Sequence, residues 1–145
     1  MPRINNAGAL RDWLRNCPAI DRGRPFGVDY LGEAPGYALC AAGSELKYRE
    51  NILGETALAP RQREEYWLDA RSPYGADVAQ NLSNLALFQS VAEWIRAQSA
   101  SGHLPTWDGG RVTAVSPTLT AAPTGAGSDA ARYRLRLRVD YEADA

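Results

Sequence analysis

Arg132-Tyr133-Arg134-Leu135-Arg136-Leu137-Arg138-Val139-Asp140-Tyr141 is a strict two-residue alternation. Tyr133, Leu135, Leu137, Val139 and Tyr141 fall on one side of an extended chain; Arg132, Arg134, Arg136, Arg138 and Asp140 fall on the other. Successive side chains of a strand point to opposite faces, so the stretch predicts a half-buried β-strand. Four guanidinium groups cannot enter a core unpaired. The tyrosine-leucine side is therefore a core layer. The arginine side faces water, nucleic acid or an acidic protein surface.

Upstream, Arg61 to Arg71 reads as a second such strand. Tyr66, Leu68 and Ala70 lie on one face, and Glu65, Trp67, Asp69 and Arg71 on the other. Between the two strands, about Ala76 to Ala100 predicts a long helix. Val78, Leu82, Leu85, Phe88, Val91, Trp94 and Ile95 advance by three or four and make one apolar stripe. Asp77 suits the positive end of the helix dipole, and Gly102 suits a C-terminal stop. Burying such a stripe is worth ~10 kcal/mol or more before chain entropy is subtracted, so this helix is the expected main packing element. Gly102 to Gly110 is a turn-rich connection. Arg111 to Leu119 is a strand with Val112 and Ala114 on one side and Thr113 and Val115 on the other. Thr120 to Asp129 is a loop of small residues.

Toward the N-terminus, Asn5 or Asn6 caps a short helix carrying Leu10, Trp13, Leu14 and Cys17, which Pro18 stops. Phe26, Val28 and Tyr30 share one face of a strand; Tyr37 to Ala42 is the next, expected to pair with it as a hairpin across Gly32 to Gly36. Lys47-Tyr48 is a candidate start of a further strand, but Glu50 to Pro60 has no periodicity, so 43–60 reads as a loop or inserted arm. Such long irregular segments in compact domains are usually functional or mobile. The predicted order is α-β-β-β-α-β-β. It implies a single α+β domain over 1–145, with helices packed on a largely antiparallel sheet.

Composition supports one globular domain: 145 residues, 45% hydrophobic, 23% charged. The net charge of -1 argues against general attraction to nucleic acid or membrane. Cys17 and Cys40 make no metal-binding spacing and no redox pair, so they read as free thiols in a reducing compartment. The first residues carry no apolar leader, and no segment approaches the ~20 apolar residues of a membrane helix.

The search for chemistry is thin. His103 is the single histidine, at the end of a helix, and nothing in the sequence places Cys17 or Ser101 beside it as a nucleophile. The aspartates are scattered, and the glycine-rich stretches at 108–110 and 124–127 lack the strand, helix and lysine of a phosphate loop. No catalytic residue, metal ligand or cofactor is expected. Trp13 and Trp94 read as core, Trp107 as either core or surface, and Trp67, among charges, as an interface candidate. Three readings of the arginine face stay open. It is a solvated outer face that guards against edge pairing, a boundary meeting carboxylates of a neighbouring subunit, or a nucleic-acid contact. The candidate interface residues are Trp67, Arg71, Arg132, Arg134, Arg136 and Arg138, with Glu55 and Thr124 from the two loops.

Whole segments also resemble a known group. Arg11-Asp12-Trp13-Leu14-Arg15-Asn16-Cys17-Pro18 followed by Val28-Asp29-Tyr30-Leu31-Gly32-Glu33 resembles the opening of small proteins from the head–tail gene modules of long-tailed phages and prophages, often labelled minor capsid proteins. Tyr74-Gly75-Ala76-Asp77-Val78, Gln80-Asn81-Leu82-Ser83-Asn84, Val91-Ala92-Glu93-Trp94-Ile95, Gly102-His103-Leu104-Pro105 and Ala131-Arg132-Tyr133-Arg134-Leu135 continue the likeness. The resemblance implies a tail-terminator-like α+β fold and a structural role. The expected assembly is a ring, commonly hexameric, that caps the tail tube and joins it to the head. The partners it implies are other copies of the chain, the tail-tube protein and the head–tail connector. Double-stranded DNA would pass through the lumen. The place implied is the virion, after assembly in the host cytoplasm. It brings no catalytic or metal residues. A head-completion or stopper protein is the near alternative, and a nucleic-acid module using Arg132 to Arg138 a more distant one. Leu46 to Arg61 departs from the compact strand-turn-strand expected there.

Overall fold

The computed structural model describes residues 6–29, 36–43, 47–73, 78–119 and 130–143. Its centre is the pair of long alternating strands. β5 (Arg61–Pro73) and β7 (Ala130–Ala143) run antiparallel, with Leu68 opposite Leu135 and Trp67 opposite Arg136. β6 (Gly110–Leu119) adds to the free side of β7, and β2 (Gly36–Gly43) to the free side of β5. β1 (Phe26–Val28) closes the far edge, giving the order β1-β2-β5-β7-β6. Pro117 sits in β6, an edge strand of the sheet, where proline is tolerated.

Two helices cover one face. α1 (Asn6–Leu14) buries Leu10, Trp13 and Leu14, and Cys17 follows them into the core. α2 (Val78–Ser101) lies across β5 and β6 and contributes Phe88, Val91, Ala92 and Ile95. The helices meet where the Trp13 and Trp94 rings stand 4.9 Å apart. The Trp13 indole N–H donates to the carbonyl of His103 at 2.9 Å. α2 stops as expected. Gly102 adopts φ +77°, the His103 N–H donates to Gln98 and the Gly102 N–H to Ser99. This pair of hydrogen bonds across a left-handed residue favours glycine, which has no Cβ. Beneath the loop that follows, Trp107 packs between Tyr66 and Tyr141. The covered face of β7 is the expected tyrosine-leucine layer, buried from Tyr133 to Tyr141.

The α+β class with a mostly antiparallel sheet thus holds, and several particulars differ. β1 and β2 pair in parallel, not as a hairpin, with Phe26 opposite Tyr37. Phe26 is buried while Val28 is exposed, and Tyr30 and the expected turn lie outside the described residues. The 43–60 segment is an arm with structure of its own: β3 (Tyr48–Glu50) and β4 (Thr56–Leu58) form a separate two-stranded sheet. A bulge between Val112 and Ala114 shifts the phase of β6, so Val112 and Val115 both enter the core and Thr113 stays exposed. Among the described side chains of the apolar stripe of α2, Phe88, Val91 and Ile95 are buried whereas Leu82 and Leu85 are exposed; the side chain of Val78 lies outside the described residues. Asp77 and the loop 120–129 lie outside the described residues.

Candidate functional site

The face of the sheet opposite the helices carries the arginines, and pairing decides their state. By backbone register Asp69 opposes Arg134, Trp67 opposes Arg136, Glu65 opposes Arg138 and Arg63 opposes Asp140. Directly opposed and diagonal side chains on one face are within reach of each other. The Arg134 Nε donates to Asp69 Oδ1 at 2.9 Å, and Asp69 is fully buried. Arg136 reaches Glu65 at 2.5 Å, and Arg63 reaches Asp140 at 2.9 Å. Arg138 lies 3.8 Å from the other oxygen of Asp140. The Trp67 ring lies under two guanidinium groups, Arg134 at 4.8 Å and Arg136 at 5.7 Å from its centroid. One of the three readings placed the partner carboxylates on a neighbouring subunit; those found are on this chain's own β5 and β7. The register positions of β5 and β7 on this face still hold more arginines than carboxylates, so the face is net positive.

Among the expected interface residues, Trp67, Arg134, Arg136 and Arg138 therefore form one cluster. Arg71 lies at the register position opposite Arg132, further along the same two strands. The side chain of Arg132 and the whole of Thr124 fall outside what the structure describes. Glu55 belongs to the arm and not to this cluster. It closes the tip of the arm, where its backbone N–H and that of Leu53 both donate to Asn51 Oδ1 at 2.9 Å. Gly54 at φ +81° completes that turn.

The arm is the second notable surface. Every residue of β3 and β4 is exposed, and at the tip Ile52 is 99% and Leu53 79% exposed. A lone two-stranded hairpin is marginally stable in water. This one is held at its base by Gln62, which is only 3% exposed. Its amide donates to the carbonyls of Lys47 at 2.7 Å and Ala59 at 3.0 Å and accepts from the Lys47 N–H at 2.9 Å. A groove of about 460 Å³ beside this base is lined by Lys47, Arg61, Arg63, Asp140 and Glu142, a mixed-sign set.

Sequence reading missed Ile52, Leu53 and Gln62. The tip carried a usable signal: Asn51-Ile52-Leu53-Gly54 has asparagine first and glycine fourth, as type I turns prefer. It also missed Glu64, whose Oε2 is buried without a hydrogen bond, as is the indole N–H of Trp107. Burial pushes the Glu64 carboxyl above the usual range, partly offset by Trp107 and Tyr66 nearby. Burial and the Glu64 charge push the phenols of Tyr66 and Tyr141 up. Burial likewise raises the Cys17 thiol, which disfavours the thiolate a nucleophile needs. His103 is exposed at the end of α2. Among the described residues there is no group of three His, Cys, Asp or Glu suited to a metal, and no helix long and apolar enough to cross a membrane.

No protein-family model matches the chain. No curated protein matches it either.

Proposed function

We propose that this chain is a structural assembly protein of a long-tailed phage or prophage, a tail terminator. Its ring of copies, six in the expected case, caps the tail tube and joins it to the head–tail connector. The observation that carries the reading is the projecting arm, a hairpin outside the core whose apolar tip is presented to solvent. Such a feature has value to a protein that meets a partner and is a liability to one that works alone. The segment resemblance, the α+β order and the helix-free charged face of the sheet support the same reading. A stopper of the neck belongs to the same class and would bind the connector in preference to the tube.

The test is mass and shape. The full chain is examined by mass photometry and negative-stain imaging, alone and with the tail-tube protein of the same phage. Closed rings, or rings seated on tube ends, are expected. A strict monomer under both conditions overturns the reading. A nucleic-acid module is favoured less, because Asp69, Glu65 and Asp140 already take up the guanidinium groups that would meet phosphates. If it were right, Arg134→Glu with Arg136→Glu would abolish a steeply salt-dependent DNA affinity of the parent protein.

A further inference from the structure

The charged face of the sheet has two layers. In each ion pair across it the cation stands further out than the carboxylate it meets. The Arg134 side chain is 32% exposed over an Asp69 that water does not reach, Arg136 46% over Glu65 at 28%, and Arg138 45% over Asp140 at 30%. Arg63 with Asp140 and Arg111 with Glu142 repeat the order. A partner arriving on this face therefore meets guanidinium first. The carboxylates beneath act as struts. They hold long side chains in place and so remove part of the ordering cost of binding.

The basic layer is also narrow. Along β7, Arg134, Arg136 and Arg138 follow one another at roughly 7 Å, two residues of ~3.3 Å each. The opposing positions on β5 hold Asp69, Trp67 and Glu65. On β6, Ser116 and Thr118 stand opposite Arg138 and Arg136, and neither is charged. The positive column is thus one strand wide, about 5 Å. A duplex, with grooves about 6 and 12 Å across, is too broad to follow a single strand and lays phosphates over the β5 carboxylates as well. A single nucleic-acid strand binds through aromatic faces on which bases stack, and the Trp67 ring already carries Arg134 and Arg136. An extended polypeptide has the width of the column and the same ~7 Å repeat of alternate side chains.

Donors for such a segment remain. A guanidinium carries five N–H groups in a fork that fits a carboxylate. Arg136 turns Nη2 toward Glu65, and Arg138 stands 3.8 Å from Asp140, beyond hydrogen-bonding distance. Internal pairing weakens the long-range field on which polyanion binding depends, yet leaves the close, two-pronged contact.

We propose that Arg134, Arg136 and Arg138 form a docking strip for an extended segment of a partner protein that carries acidic residues at alternate positions. The inference rests on the face alone and not on the ring reading. The probe is the labelled peptide acetyl-Thr-Glu-Thr-Glu-Thr-Glu-Thr-amide, titrated with the full chain and followed by fluorescence anisotropy at physiological salt. The block peptide acetyl-Thr-Thr-Glu-Glu-Glu-Thr-Thr-amide, of equal charge, and a short DNA duplex are the comparisons. The alternating peptide is expected to bind at least about tenfold more tightly than either. Arg136→Gln with Arg138→Gln, shown to be folded by circular dichroism, should lose that binding. Arg136→Lys with Arg138→Lys keeps the charge without the fork and should weaken it several-fold. Binding of the alternating peptide weaker than about 1 mM, equal binding of the block peptide, or either double variant binding as the parent does overturns the proposal. Tighter binding of the duplex overturns it too, and makes the strip a nucleic-acid contact. Neither result bears on whether the parent forms rings.

Discussion

Two arginines one turn of the pleat apart show how little residue type alone decides. Arg134 meets an Asp69 that is wholly buried, whereas Arg136 meets a Glu65 that water still reaches. Removing one partner of a buried pair strands the other charge, while exposed pairs contribute little. Arg134→Ala should therefore destabilise the protein by about 2–3 kcal/mol, below the full cost for a buried pair because the guanidinium is partly solvated. Arg136→Ala should cost less than about 1 kcal/mol. Urea denaturation of both variants measures the difference. Glu64 gives a pH signature. Its raised pKa means that folding favours the protonated acid, so the folded protein keeps a proton where the unfolded chain has released it. Stability then falls as pH rises from the ordinary glutamate range through the raised folded value. Thermal melts of Glu64→Gln should match the parent near pH 4, at about the unperturbed glutamate value, and exceed it increasingly toward neutrality. Equal gaps at both ends of that range would contradict this. The alternation in the sequence put Asp69 and Trp67 on the charged face correctly. It could not show that Asp69 would be buried there, because burial depends on what the neighbouring strands lay over a position.

At the scale of elements, legibility followed period. β5 and β7 alternate over their whole length, and α2 carries a stripe and a glycine stop, so strand, face and terminus were all readable. Period reports which side of an element is apolar; it does not report how far the covering surface extends. Hence the stripe of α2 runs on through Leu82 and Leu85 although both are exposed. The parallel pairing of β1 with β2 is a fact of topology with no local signature in strands this short. The bulge in β6 defeated alternation by one residue. The arm lacks alternation because neither of its faces is buried. Its base is tied down by one buried side chain, Gln62, and the contribution can be measured. Gln62→Ala should leave the main transition nearly in place and lower the local stability of the arm by about 1–3 kcal/mol, the cost of unsatisfied buried backbone groups. Amide hydrogen exchange at residues 47–59 should accelerate several-fold or more, with β7 unaffected.

For the whole molecule the decisive property is asymmetry. One face of the sheet is packed, the other is charged, and the arm projects beside the start of β5. The net charge of -1 leaves self-association unopposed by long-range repulsion near neutral pH. The same layout governs how the chain becomes a molecule. β7 follows every other described element in the sequence, yet it is the strand that β5 and β6 both pair with. Until Ala130–Ala143 has emerged from the ribosome, β6 has no partner, β5 has only β2, and the core under α2 lacks its floor. The β5–β7 pairing spans a long stretch of chain, from Arg61 opposite Glu142, whose closure is slow and must precede any packing reward. Folding is thereby deferred until β7 has been made, and the arginine strand acts as the keystone of the sheet.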